Sequence, residues 1–478
     1  MSDVGAIGIA VARVPRKWWA LAFLVTGNVI VFTAVTMMNV AIPQAQSALG
    51  FADSTRASVV TVYSLCFGTF MLLAGRLADT LGLRRCLSFG LAGFALASAL
   101  GGFAPTVHVL LISRAAQGMT GALVVASALA MVSVMFPEGR ERVRAFGLYG
   151  MAMGMGVAAS FSLAGALVSG VSWRWVMLID TPIALAVMLG VIGFAPAPEA
   201  RRNSRLRLES AVLITIALGL LVVGLDQAGS RGWSHGPTLI LLGISALLII
   251  GFIVQLRRSR DPLIPLFLLG NRRRLSAFCA VLLIGLGVFA GMFILTALLQ
   301  STLGYTPLLT GAAFLPWGLS AIAAAQVLGS MTMRLSFDMT LAVGMLMVGV
   351  AMATLSLLRP DTIYVTGILP AMLLFGAGST IVMVAGTSAA TLNAGHHSGI
   401  ASALVNASQQ IGAAVGTALL AAIITATVRS APEHSHVATL TGYATASGVG
   451  AILICLGAIG VIALARIRLR SPGSGDPT

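Results

Sequence analysis

The sequence predicts an all-α polytopic membrane protein with fourteen transmembrane helices, and three observations predict it. The chain of 478 residues is 58% hydrophobic and only 9% charged, with a mean hydropathy of +0.98. A soluble protein of that composition would leave large apolar patches in water. The apolar residues fall into stretches of about 18 to 28, each long enough to cross roughly 30 Å of hydrocarbon at 1.5 Å per residue. Arginines mass in alternate gaps between those stretches, the pattern that retains a loop on the cytoplasmic side.

The first apolar run, 18–42, follows Arg13, Arg16 and Lys17. It is too long for a signal-peptide core and is expected to remain as the first helix. Five more helices are expected at 57–76, 87–104, 107–135, 144–170 and 174–194, two at 211–228 and 237–256, and six at 276–301, 308–330, 339–358, 363–387, 399–427 and 441–465. The gaps assigned to the cytoplasm hold Arg76, Arg84, Arg85, Arg140, Arg142, Arg144 and the arginines of 195–210 and 257–275. The opposite gaps hold Arg56, Arg174, Arg231, Arg359 and Arg429. This asymmetry places both termini inside.

Four parts follow: a six-helix bundle over 1–195, a two-helix insertion with flanking basic loops over 196–275, a second six-helix bundle over 276–470, and a disordered tail over 471–478. Residues 75–84 and 329–338 occupy corresponding places in the two bundles and share a leading glycine and a basic residue, a faint repeat of the kind two related transporter halves show.

The formal charge of +15 sits in short loops beside apolar spans, so it is topological and no nucleic-acid partner is expected. Cys66, Cys86, Cys279 and Cys455 have no paired spacing, which leaves neither a disulfide framework nor a metal site. No G-x-x-x-x-G-K-[ST] loop is present, so neither direct ATP use nor any cofactor is expected. An intramembrane enzyme would need a recurring His/Asp/Glu or Ser/His set inside the spans, and a receptor would bring a signalling domain. Neither is visible, so the chain is not expected to be an enzyme.

Four sets of residues carry chemistry. Gly75, Asp79, Gly82, Arg84 and Arg85 follow the second helix in a basic, glycine-punctuated segment. Arg114, Gln117 and Gly118 lie within the fourth span, where an arginine either faces protein or snorkels to the interface. Gly147, Gly156 and Gly165 form a ladder along the fifth, a small-residue face for close helix packing. Ser172-Trp173-Arg174-Trp175, with Asp180 and Pro182, enters the sixth.

These segments resemble the major facilitator superfamily, and within it the fourteen-helix drug:proton antiporters. Gly75–Arg85 is similar to that family's G-x-L-A-D-x-x-G-R-[KR] loop, Arg114–Gly121 to its R-x-x-Q-G-x-G, and the glycine ladder to its G-x8-G-x3-G-P-x2-G-G with Ser160-Phe161 in place of G-P. The resemblance implies two rocking bundles with a midplane site, a gating segment around Asp79, and coupling through Arg114. It also implies export of a drug, antibiotic or secondary metabolite by alternating access across a bacterial plasma membrane. Protons are the driving ion it implies, with an uncoupled or single-product exporter as the alternative. Nothing sets an oligomeric state, and a monomer is the default expectation.

One departure stands out. Thr36, Asn39, Ala41 and Pro43 match the family's first-helix pattern, but its acidic position is Ala34. Coupling candidates then reduce to Arg114, Gln117, Gly118, Asp180 and Asp226. Asp180 falls near the edge of the sixth span, where Asp180-Thr181-Pro182 also fits a helix-start signature. The substrate cavity is expected to draw on Thr36, Asn39, Tyr149, Gln300, Trp317 and Asn406.

Overall fold

The computed structural model describes residues 16–136, 139–197, 208–259, 262, 268, 270–359, 362–391, 398–430 and 436–466. The tail 471–478 lies outside the described residues.

The described chain is almost wholly helical. α1 (Arg16–Leu49), α2 (Asp53–Leu81), α3 (Leu83–Gly102), α4 (Val107–Met135) and α5 (Gly139–Gly170) come first. The short α6 (Trp175–Leu178) leads into α7 (Asp180–Phe194), followed by α8 (Leu208–Arg231) and α9 (Gly236–Arg258). The remainder comprises α10 (Arg272–Ala297), α11 (Pro307–Ala313), α12 (Leu315–Arg334), α13 (Phe337–Ser356), α14 (Leu369–Thr391), α15 (Ser398–Ser430) and α16 (His436–Arg466). With α6 and α7 taken as one crossing and α11 and α12 as another, the segments match the fourteen expected positions in order. Among the described residues, 12 are long and apolar enough to cross a membrane. The other two, α2 with 29 residues and α5 with 32, have ample length for a bilayer.

Polar caps mark several starts: Thr106 accepts from Val109 N at 3.5 Å, Asn271 from Arg273 N at 3.0 Å, Thr306 from Leu309 N at 3.2 Å and Ser336 from Met339 N at 3.4 Å. Pro307 opens α11, where its missing N–H costs nothing.

Breaks the hydropathy did not show have local causes. The sixth span divides at Ile179 because Pro182 offers no N–H to the carbonyl of Leu178, four residues back. The tenth divides at Phe314, with Pro316 standing in the same relation to Ala312. Wide π-type turns occupy Leu298–Thr302 and Tyr364–Ile368. The expected loop between the second and third spans is corrected: α2 continues to Leu81 and only Gly82, at φ +90°, separates it from α3. Asp79 therefore stands in the last turn of a helix.

α1 packs on α5 and α7, α2 on α4, and α3 on α4 and α7. In the second set, α10 packs on α15, and α13 on α14 and α16. The two sets meet along two seams, α2 against α15 and α5 against α11 and α12. α8 lies beside α2 and α15 together, and α9 packs on α8, with Ser245 of α9 donating to Ala217 O of α8 at 2.7 Å. α9 leaves Leu239, Ile240, Leu247 and Ile250 exposed, an apolar face suited to lipid.

Candidate functional site: a buried arginine and aspartate beside an aromatic seam

Arg114 lies seven residues into α4, roughly 10 Å along its axis, and is 1% exposed. A guanidinium at that depth persists only if its donors are met. Nη1 donates to Gln117 Oε1 at 2.8 Å and to Ala34 O at 3.4 Å, and Nε donates to Val59 O at 3.3 Å. Gln117 sits three residues on, on the same helical face, and extends the chain by donating from Nε2 to Ser98 Oγ of α3 at 2.7 Å.

Tyr63 of α2 lies under the guanidinium, 4.3 Å from the ring centroid to Cζ, a cation–π contact strengthened by burial. Its hydroxyl donates to Val31 O at 2.6 Å, which fixes the ring. Gly118 brings α4 this close to α2, since any Cβ there would meet the carbonyl of Tyr63. The family arginine thus faces protein, and the snorkelling alternative is set aside.

Asp180, the first residue of α7, is 2% exposed, well inside the helices despite its place near the end of a span. It begins α7, which packs on α1 and α3, the helices that carry the Arg114 acceptor Ala34 O and the Gln117 partner Ser98. Asp180 Oδ2 and Arg114 Nη2 are both buried with no hydrogen-bond partner. Beyond them, at the Trp173 end, Gln44 Oε1 accepts from Trp173 N at 2.7 Å while Gln44 Nε2 donates to Val168 O at 3.3 Å. Arg174 Nη1 donates to Gly102 O at 3.0 Å and Ala104 O at 2.8 Å, and its Cζ lies 4.8 Å from the ring of Trp173. These bonds tie α1, α3 and α5 to the turn that leads into α6 and α7.

Of the expected cavity residues, Gln300 reaches across from the second helix set to the first, while Thr36 and Asn39 are buried on α1. Thr36 Oγ1 lies 2.6 Å from Ser160 Oγ of α5, and Gln300 Nε2 reaches from the π turn after α10 to Val40 O at 3.2 Å. Asn39 is 2% exposed and donates to Val35 O at 3.1 Å, leaving Oδ1 unpartnered. Trp317 of α12 stacks on Phe375 of α14, 5.0 Å between centroids. Asn406 turns back onto its own helix, donating to Ser402 O at 3.0 Å, and Tyr149 is partly buried against the core. A groove of about 320 Å³ lined by Ser356, Arg359, Val437 and Thr441 involves none of them.

The glycine ladder does its packing at two positions. A Cβ on Gly156 would stand 2.6 Å from Val29 Cγ1 of α1, and one on Gly165 would stand 2.5 Å from Pro307 O of α11. Gly311 approaches the carbonyl of Phe161 as closely from the other side, and Leu308 N donates to Ser169 Oγ at 3.1 Å. Gly147 falls within α5, and its surroundings lie outside the described contacts.

At the opposite end, Arg84 donates to Ile192 O and Arg16 to Gly193 O at 2.9 Å, tying the starts of α3 and α1 to the end of α7. Arg85 is exposed and Gly75 has open space around it. The side chain of Asp79 lies outside the described residues. Asp226 sits partly buried on α8. Ser98 and the Phe161–Phe314 contact were not anticipated. Ser160 and Phe161 carried a signal in replacing a patterned glycine and proline, whereas Ser98 carried none.

Comparison with known proteins fits this architecture. The sequence profile of the Major Facilitator Superfamily matches residues 24–417. The puromycin resistance protein pur8 of Streptomyces alboniger is 36% identical over 469 residues, covering 95% of this chain and 93% of that protein. The cephamycin export protein CmcT of Amycolatopsis lactamdurans is 32% identical over 406 residues, covering 84% of each. A solved peptide transporter POT in complex with sulfate shares the fold at a TM-score of 0.68 over 95% of both chains, with 16% identity. With the profile spanning most of its length and chain-long relatives above 30% identity, this chain belongs to the Major Facilitator Superfamily.

Proposed function

We propose that this protein exports amphipathic antibiotic-like molecules, of the class that puromycin represents, across a bacterial plasma membrane in exchange for protons. The observation that carries the reading is the seam between α5 and α11–α12. It is built from Gly165, Gly311 and stacked rings, contacts that can part and re-form without leaving a buried charge exposed. Bundles 1–195 and 276–470 rock about this seam and the α2–α15 seam, and the site between them holds substrate near the midplane.

Thr36, Asn39 and Gln300 supply the few polar contacts, and Trp317 supplies an aromatic wall for an otherwise apolar guest. The substrate passes unchanged, so no catalytic group is required. The arginine-rich ends face the cytoplasm with both termini, and the Trp173 end faces outward. A monomer suffices, because both seams lie within one chain.

The test is expression in a bacterial host lacking its own efflux pumps. Cells should accumulate less puromycin than a vector control, and collapsing the proton gradient should remove the difference. Equal accumulation with and without the protein, across puromycin and other amphipathic antibiotics, would overturn the reading.

A further inference from the structure

We propose that Asp180 is the residue that carries the coupled proton, with Arg114 as the group that reads its charge. This rests on the antiport reading above and deepens it. Among the described residues Asp180 is the one acidic side chain that is buried. An ionisable group held inside a membrane bundle is costly, and it persists where it has a task. Arg114 already satisfies Nε and Nη1 on α1, α2 and its own helix, while its Nη2 and the Asp180 Oδ2 are left without partners. One is a donor and the other an acceptor, and in this conformation they are not in contact with each other.

Among the described residues the nearest other formal charge on an element packed against α7 is Arg174, just before α6, and its guanidinium is engaged by Gly102 O, Ala104 O and the Trp173 ring. α1 and α3 pack against α7, but their charges, Arg16, Lys17, Arg84 and Arg85, lie at the far end, where Arg16 and Arg84 bond Gly193 and Ile192. That is about 18 Å along α7 from Asp180. α4 contributes Arg114 and α2 contributes the Tyr63 hydroxyl.

The step is a protonation with no change of oxidation state. With the Trp173 end open, a hydronium outside gives its proton to the Asp180 carboxylate and an O–H bond forms. Neutral Asp180 leaves Arg114 on Gln117, Ala34 O and Val59 O. With the other end open, that O–H bond breaks to water inside. The carboxylate then draws Arg114 Nη2 toward α7, shifting α4 from α1 and α2. The contacts of Gly165 and Ser169 of α5 with Pro307 and Leu308 of α11, closed at the Trp173 end, keep the two accesses from being open together.

Two readouts on purified protein in lipid vesicles test this. Infrared difference spectra taken across a pH series should show a carboxylic-acid carbonyl band that shifts in D2O. The band should be lost in Asp180→Asn and return at a displaced midpoint in Asp180→Glu. In vesicles with an imposed pH gradient, Asp180→Asn should drive puromycin uphill at least tenfold more slowly than wild type, while puromycin exchange without a gradient continues. A titrating band that survives in Asp180→Asn, or uphill transport intact in that variant, overturns the proposal. A wild-type protein that titrates Asp180 yet neither exchanges nor accumulates puromycin overturns the export reading instead. Should Asp180→Asn fail to insert, an unshifted midpoint in Asp180→Glu overturns the proposal equally.

Discussion

Phe161 of α5 and Phe314, the residue between α11 and α12, lie face to face across the seam, with centroids 4.0 Å apart and planes 3° from parallel. Phe161 is 1% exposed and Phe314 is fully buried. Phe314 also touches Trp317 at 6.1 Å, and Trp317 stacks on Phe375, so a run of rings leads from the seam into the second helix set. An aromatic pair contributes about 0.5–1.5 kcal/mol beyond its area.

Phe161→Ala should therefore shift the balance of states toward the one parted at the Trp173 end by roughly 2- to 12-fold, since about 1.4 kcal/mol is a factor of ten. Spin labels on the exposed Val171 and Leu309 would report it as added population at long distance. An unchanged distance distribution would show that the rings are not the latch.

Gly165→Leu should act in the same direction and further. Its side chain has no room against Pro307 O and Leu308 Cα, and these are backbone atoms that cannot swing away. Normal membrane insertion with substrate exchange reduced at least tenfold is expected, measured by labelled puromycin exchange in vesicles. Full exchange would mean that α5 and α11 can separate without loss of function.

Arg114→Lys keeps the charge but not the fork. An ammonium on a shorter stem cannot hold Gln117, Ala34 O and Val59 O together. Hydrogen bonds to a charged group contribute about 1.5–3 kcal/mol. Transport per molecule of reconstituted protein should fall roughly 10- to 100-fold, with Gln117→Leu producing a smaller loss. Activity within twofold of wild type would remove Arg114 from the coupling mechanism.

Asp79→Asn separates gating from stability. A negative charge in the last turn of α2 opposes the helix dipole, an unfavourable term of about 0.3–1 kcal/mol. The variant should therefore unfold at an equal or higher temperature, while transport slows severalfold if Asp79 works in the conformational change. A lower melting temperature in detergent together with wild-type transport would assign it a structural role.

The crossings were legible in the sequence because a bilayer imposes one length and one polarity on every span, and no tertiary contact is needed to enforce them. The breaks at Ile179 and Phe314 were visible in principle through Pro182 and Pro316, but hydropathy averages over a proline. The pairing of Arg114 with Gln117 followed from spacing along one helix. The contributions of Tyr63, Ser98 and Asp180 depend on how α2, α3 and α7 rotate against α4, and no periodicity within a single helix contains that rotation. Asp180 looked peripheral by its distance along the chain, but neighbouring helices bury it. The stacking of the seam rings was illegible for a related reason: Phe161 and Phe314 are far apart in sequence, and nothing in the local sequence of either sets them face to face.

The position of α8 and α9 makes the two seams unequal toward the lipid. Along α2 and α15, α8 bridges both sides and α9 stands behind it, so an oily solute dissolved in the membrane meets two layers of helix before it reaches that line of contact. Along α5 and α12, neither α8 nor α9 packs over the join among the described residues. A guest that partitions into the bilayer first has a short sideways path to the interior on this flank and a screened one on the other. The placement of α8 and α9 thus gives the molecule a front and a back.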